Sequence, residues 1–279
     1  MIRPPPVLLD IGANVGAFSF IFSTAGWKVF GIEGSHDNSE SLRLTAKIND
    51  FDFTLGEFVV SDKTGSIYFF QNGPWGYASH KKPDSTFDKM PSFCLDDYKQ
   101  TSLTSIEKID FLKMDIEGSE PAAVRGGKKF LEQFGFPPVF CEVNIFTLFL
   151  TNSSKEDLFL EFSSIGYIPF IFDNKKLYKY DHRIFRNEIV TDYLFIHESD
   201  NRFDQYKRDD FNESKNDRVI IKTIMDSLYV KDVTLLIAAC INVSTSKFGE
   251  IPEIKNRVQE IKALPQYIAA IEQFKKNTT

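Results

Sequence analysis

Short apolar runs alternate with segments of helical periodicity over about the first two hundred residues, and this alternation constrains the fold more than any other feature of the chain. A parallel sheet covered on both faces reads this way, because its strands are buried on both sides. The runs fall at residues 7–11, 28–33, 53–60, 109–115, 138–143, 167–172 and 191–197. Helical spacing occupies residues 15–24, 38–49, 120–134 and 155–164, with Ser154 suited to cap the last and Pro121 to a first helical turn. A further strand over residues 66–70 follows the turn-rich SDKTG, and residues 71–91, rich in Gly, Pro, Ser and Lys, read as a long loop.

The chemistry is concentrated at strand ends. DIGANVG, residues 10–16, closes the first strand and opens the first helix. Gly12 and Gly16 let the backbone turn and let a ligand approach where no Cβ intervenes. A dinucleotide would call for GxGxxG beneath its pyrophosphate, which argues against a nicotinamide dehydrogenase. GxxxG with a carboxylate two residues ahead suits a nucleoside whose near end carries an ammonium, and S-adenosylmethionine (AdoMet) is the common one. Glu33, in GIEGS at the end of the second strand, can accept from both hydroxyls of a ribose, and Gly34 leaves room for the sugar. Ser61 and Asp62, after the third strand, are expected at the adenine amino group, while His36 reads as a solvated loop residue.

Four blocks give the chain a resemblance to FkbM-type methyltransferases, a branch of the class I AdoMet-dependent enzymes. They are DIGANVGAFSF at 10–20, GIEGS at 31–35, VVSDKTGSIYFF at 59–70 and IDFLKMDIEGSEPAAVRGG at 109–127, and the likeness runs over about residues 7–197. It implies an α/β, Rossmann-like fold with a seven-stranded, mostly parallel sheet whose last strand is antiparallel. It also implies AdoMet held by Asp10, Gly12, Asn14, Gly16 and Glu33, with Ala13, Gly34 and Ser35 in the same two blocks, and methylation of a hydroxyl on a sugar or metabolite. Two departures stand out: only six residues precede the first strand, and GIEGS stands where the family more often has Phe, Glu and Pro.

Methyl transfer to an alcohol needs the nucleophile held in line and a group to take its proton. Asp115, at the end of the fourth strand, is the first candidate. Lys113, Asp115 and Glu117 would share one side for as long as the strand lasts, and Glu142 ends the fifth strand at the same edge. Glu120 reads as a helix N-terminal cap and His80 as a second candidate base, while Trp75 and Tyr77 could stack on an acceptor. Without HxxxH, HExxH or a paired Asp-Asn element, no metal is expected.

A formal net charge of −6 gives no pull toward a phosphate-backbone partner or an anionic membrane surface, so no nucleic-acid partner is expected. No apolar stretch approaches the ~20 residues that span a bilayer, and the N-terminus lacks a signal-like apolar core, so a cytosolic protein is expected. Cys94, Cys141 and Cys240 are scattered and read as reduced thiols. Alternating charges at 200–217 suggest a linker between a methyltransferase domain (1–199) and a helical appendage (218–279), with helices at 219–239 and over 251–274, where Pro265 restarts a second helix. The last of these resembles the closing helices of glutathione transferases; the thioredoxin-like half is missing, so an interaction appendage without glutathione chemistry is expected. The alternative to an enzyme with a small-molecule or glycan acceptor is a non-catalytic binding protein of the same fold that recruits a partner through these helices.

Overall fold

A computed structural model describes residues 4–72, 75–79, 88–173, 175–180, 188–208, 217–246 and 248–277. The N-terminal part contains β1 (Val7–Ile11), α1 (Ala17–Thr24), β2 (Lys28–Glu33), α2 (His36–Asn49), β3 (Phe53–Glu57), β4 (Val59–Val60), β5 (Gly65–Asn72), β6 (Trp75–Ser79) and β7 (Asp88–Phe93). There follow β8 (Phe111–Met114), α3 (Glu120–Arg125), α4 (Lys128–Gln133), β9 (Val139–Asn144), α5 (Ile145–Leu150), α6 (Lys155–Ser163), β10 (Tyr167–Asp173), β11 (Lys176–Lys179), β12 (Val190–His197) and β13 (Lys207–Arg208). Four helices close the chain: α7 (Asp217–Ser227), α8 (Val233–Ser244), α9 (Pro252–Lys262) and α10 (Pro265–Asn277).

The main sheet runs β13-β11-β10-β12-β9-β8-β1-β2-β3. It is therefore nine-stranded among the described residues rather than seven: β11 and the two-residue β13 extend one edge beyond the expected set. The expected antiparallel strand is β12, which runs against both β9 and β10. Every residue of β1 is buried, which explains an apolar sequence broken only by Asp10. Leu9, Ile11, Leu112, Met114, Val139 and Phe195 share one core with Phe130 and Phe162 from the covering helices.

Helix limits follow local chemistry. The Ser35 hydroxyl accepts from the Asn38 amide and starts α2, and Ser154 and Asp157 form a reciprocal capping box at α6. The single helix expected over 120–134 is two, because the chain turns at Gly126 and Gly127 between α3 and α4. Residues 53–60 likewise divide: β3 stays in the main sheet, while β4 pairs with β7 in a second, four-stranded sheet of order β4-β7-β5-β6. Much of the expected loop at 71–91 is thus sheet; His80 lies outside the described residues, as does the Trp75 side chain.

Ile224, Leu228, Ile237, Cys240, Ile254 and Ile261 give the C-terminal helices a core of their own, against which Phe146 of α5 packs. The helix expected over 219–239 is interrupted: α7 ends at Ser227, and the Asp232 carboxylate caps the start of α8 through the Leu235 amide. Pro265 opens α10 as expected. No described helix is long and apolar enough to cross a membrane.

Candidate active site

A cavity of about 130 Å³ crosses the carboxyl tips of the strands. Glu142 of β9 and Asp115, Ile116 and Glu117 after β8 stand at one end. Gly12 and Asn14 after β1 and Glu33 and Gly34 at the tip of β2 lie in the middle, and Val59 and Val60 of β4 with Phe69, Gly76 and Ala78 of the β5–β6 hairpin lie at the other. From β9 through β8 and β1 to β2 the order is that of the main sheet, and the second sheet continues the wall beyond β2.

The first loop is close-fitting. Gly12 has φ +79°, and a Cβ there would stand 1.8 Å from the Asp115 carbonyl oxygen, so no other residue fits. Asn14 also has positive φ, and its amide donates to Glu33 Oε2 at 2.8 Å. The Ser35 amide donates to the other Glu33 oxygen at 2.7 Å. Two backbone donors thus fix the Glu33 carboxylate beside the cavity, although burial still raises its pKa.

Of the residues singled out in the sequence, Gly12, Asn14, Glu33, Gly34, Tyr77, Asp115, Glu117 and Glu142 line this cavity. The others lie around it. Asp10 is fully buried and accepts from Ser19 Oγ at 2.6 Å, with Lys113 Nζ 3.5 Å from its second oxygen. Through Ser19 it ties α1 to the sheet. Ala13 and Gly16 are buried in the turn, where the Gly16 amide donates to the Ala13 carbonyl, and Ser35 caps α2. The Ser61 amide is held by the Phe93 carbonyl, and Asp62 pairs with Arg125 at 3.1 Å, so neither reaches the cavity. His36 is exposed and bonded to Glu57.

The acidic end gathers residues from separate elements. β8 stops at Met114, one residue before Asp115, so strand alternation does not place Glu117. A left-handed turn at Glu117 and Gly118 brings it to the cavity instead, and the buried Glu120 carboxylate holds that turn by accepting from the Ile116 and Gly118 amides. Glu120 is therefore structural, as its N-terminal position suggested. Asp192 of β12, which sequence reasoning missed, stands directly across from Glu142 in the antiparallel register. No spacing could have shown this, since 50 residues separate the two.

One cation serves these acids from within. Lys113 is 8% exposed; its Nζ donates to the Gly12 carbonyl at 2.7 Å and lies 3.3 Å from Asp115. Burial opposes its charge, but Asp10 and Asp115 outweigh burial and raise its pKa. Burial, followed by the charge of Asp115, pushes Glu117 and Glu142 each up to about 7. Burial and Asp115 raise Asp192 as well. Oxygens of Asp115, Glu117 and Glu142 lie within 4.8 Å of one another, the one set among the described residues close enough to share a metal ion. The expectation of no metal rested on histidine-rich spacings, and a set drawn from a loop and a neighbouring strand leaves no such trace.

No curated protein sequence matches the chain. Among solved structures, WbdD aligns with TM-score 0.41 and 13% identity over 68% of this chain, but over only 35% of its own length. A precorrin-6y C5,15-methyltransferase from Geobacter metallireducens aligns with TM-score 0.38 and 11% identity, covering 70% of this chain and 80% of that one. A ribosomal protein L11 methylase from Lactobacillus delbrueckii subsp. bulgaricus aligns with TM-score 0.38 and 9% identity, covering 70% and 71%. The family described as the methyltransferase FkbM domain matches residues 10–169, more than half of the sequence and the whole stretch from the glycine turn to β10. By that match the chain belongs to the FkbM methyltransferase family.

Proposed function

We propose that this protein is an AdoMet-dependent O-methyltransferase acting on a hydroxyl of a sugar, a glycan or a small metabolite. The observation that carries the reading is the cavity itself, with a fixed carboxylate at the tip of β2 and three carboxylates at its opposite, β8–β9 end. The residues present fit the cofactor. Glu33 accepts the Asn14 and Ser35 amides and the Asn38 side chain, which leaves acceptor capacity for a ribose hydroxyl, and the Cβ-free backbone at Gly12 admits close approach. The Asn14 side-chain oxygen is buried beside the cavity without a partner among the described residues, as an acceptor awaiting a ligand N–H or O–H would be.

Bound AdoMet supplies an electrophilic methyl group on a sulfonium. The chain supplies position and proton transfer. Gly12 and Asn14 seat the amino-acid end, Glu33 the sugar, and Asp115 faces the acceptor side from the turn that Lys113 anchors. A carboxyl whose pKa is near 7 divides its population between acid and base at neutral pH, so Glu142 or Glu117 can receive the hydroxyl proton as the carbon–oxygen bond forms.

Incubating the full chain with methyl-labelled AdoMet and a panel of hydroxylated sugars and metabolites tests this. Label recovered in a methyl ether supports it. Label on nitrogen overturns the choice of oxygen, and intact cofactor binding without transfer to any acceptor favours the binding-only protein.

A further inference from the structure

A second cavity of about 130 Å³ lies where α5 and the start of α6 meet the C-terminal helices, and it shares no lining residue with the first. Ile145 and Phe149 of α5, Ile241 of α8 and the Tyr267 ring of α10 give it an apolar lining. Ile241, Lys262 and Tyr267 stand well beyond residues 10–169, so the family match does not account for it.

Its polar groups are few, and the charged ones are of one sign. Tyr267 is 7% exposed, yet its hydroxyl has no hydrogen-bond partner among the described residues. Buried hydroxyls are ordinarily satisfied, so an open one on a cavity wall marks a place for a ligand atom. Burial, and then Cys240, pushes the Tyr267 pKa up to about 12, which keeps the proton on the oxygen and leaves it able to donate. Lys262, at the end of α9, lies 3.4 Å from the Ser244 hydroxyl and makes no ion pair among the described residues. Lys155, the other cation of the lining, sends its ammonium over the Tyr180 ring, 5.8 Å from the centroid. Among the described residues no carboxylate lines the cavity, although acids outnumber Lys and Arg 39 to 33 in the chain.

We infer that this cavity is a second binding site, for a small carboxylate with an apolar body whose head meets Tyr267 and Lys262 and whose body lies against Ile145, Phe149 and Ile241. An apolar cavity of ~150 Å³ takes up benzene, so this one admits a short aliphatic chain or a single ring. Apolar walls with a few convergent donors are the usual make-up of a small-molecule site. Because α5 supplies one part of the lining and α8 to α10 the other, the ligand bridges the methyltransferase part and the helical appendage.

Ligand-observed NMR titration of the full chain tests this, with hexanoate and benzoate as probes and toluene as the uncharged control. The native chain binds both acids with dissociation constants of about 1 mM or below, and toluene more weakly than benzoate. Tyr267→Phe removes the hydroxyl and keeps the ring; it weakens both acids about tenfold and leaves toluene within about twofold. Lys262→Gln, at an exposed position, weakens the acids about threefold at low salt, and the difference shrinks as salt is added. Both variants melt within a few degrees of the native chain. A native chain that takes up neither acid well above millimolar concentration overturns the site, the cavity then holding solvent only. Acid affinity unchanged in both variants overturns it by placing the carboxylate elsewhere. Toluene bound as tightly as benzoate overturns the anionic class.

Discussion

Lys113 reaches across the β1–β8 register to Asp10, its nitrogen 3.5 Å from a carboxylate with no exposed surface. Replacing Lys113 by Met removes the partner of a buried charge, which costs roughly 3–5 kcal/mol in comparable pairs. Urea unfolding should show that loss. A change below about 1 kcal/mol would mean that Asp10 is neutral in the folded protein.

Glu33 is expected to dominate affinity for the nucleoside. Charge-assisted hydrogen bonds contribute roughly 1.5–3 kcal/mol each, so Glu33→Ala should weaken S-adenosylhomocysteine binding about tenfold or more. Calorimetry on a variant that still melts cooperatively decides this, and undiminished affinity would remove Glu33 from the site.

With Glu117 and Glu142 both pushed up to about 7, kcat/KM for an oxygen acceptor should rise as pH passes through that region. The groups interact, so the rise belongs to the cluster rather than to either residue. Glu142→Gln should cut kcat/KM by roughly a hundredfold and move the remaining limb to lower pH, because one negative neighbour of the cluster is gone. An unaltered profile would exclude Glu142 as a proton acceptor.

Stability should depend on the same groups with the opposite sign from an ordinary salt-bridged acid. The folded pKa of Glu117 lies above its model value of 4.5, so the folded chain binds more protons than the unfolded chain between about 4.5 and 7. Its favourable contribution is full below that window and lost as pH rises through it. Glu117→Gln should therefore stabilise the protein by on the order of 1 kcal/mol near pH 8, after allowance for solvent screening, and by little near pH 4.5. Melting curves at the two pH values check the sign.

Asp62→Ala should leave affinity for S-adenosylhomocysteine within about twofold and cost under about 1 kcal/mol of stability, the usual scale of a partly exposed pair such as Asp62–Arg125. A tenfold loss of affinity would return Asp62 to the adenine.

The sequence alone determined what depends on neighbours along the chain. The largely apolar run of β1, the glycine turn that follows it, the carboxylate ending β2, the cap at Ser154 and the restart at Pro265 each have local causes, and all five are found where expected. Tertiary structure decided which acids meet. Asp10 and Asp115 stand at the carboxyl ends of neighbouring strands, one inside β1 and one just past β8, yet Asp10 is buried beneath the turn and Asp115 lies at the cavity. It also set Asp192 opposite Glu142 and paired β5, β6 and β7 into a sheet whose Phe69 lines the cavity. These outcomes depend on strand pairing across tens of residues, and hydrophobic periodicity records only which side of an element is buried, not what lies opposite it.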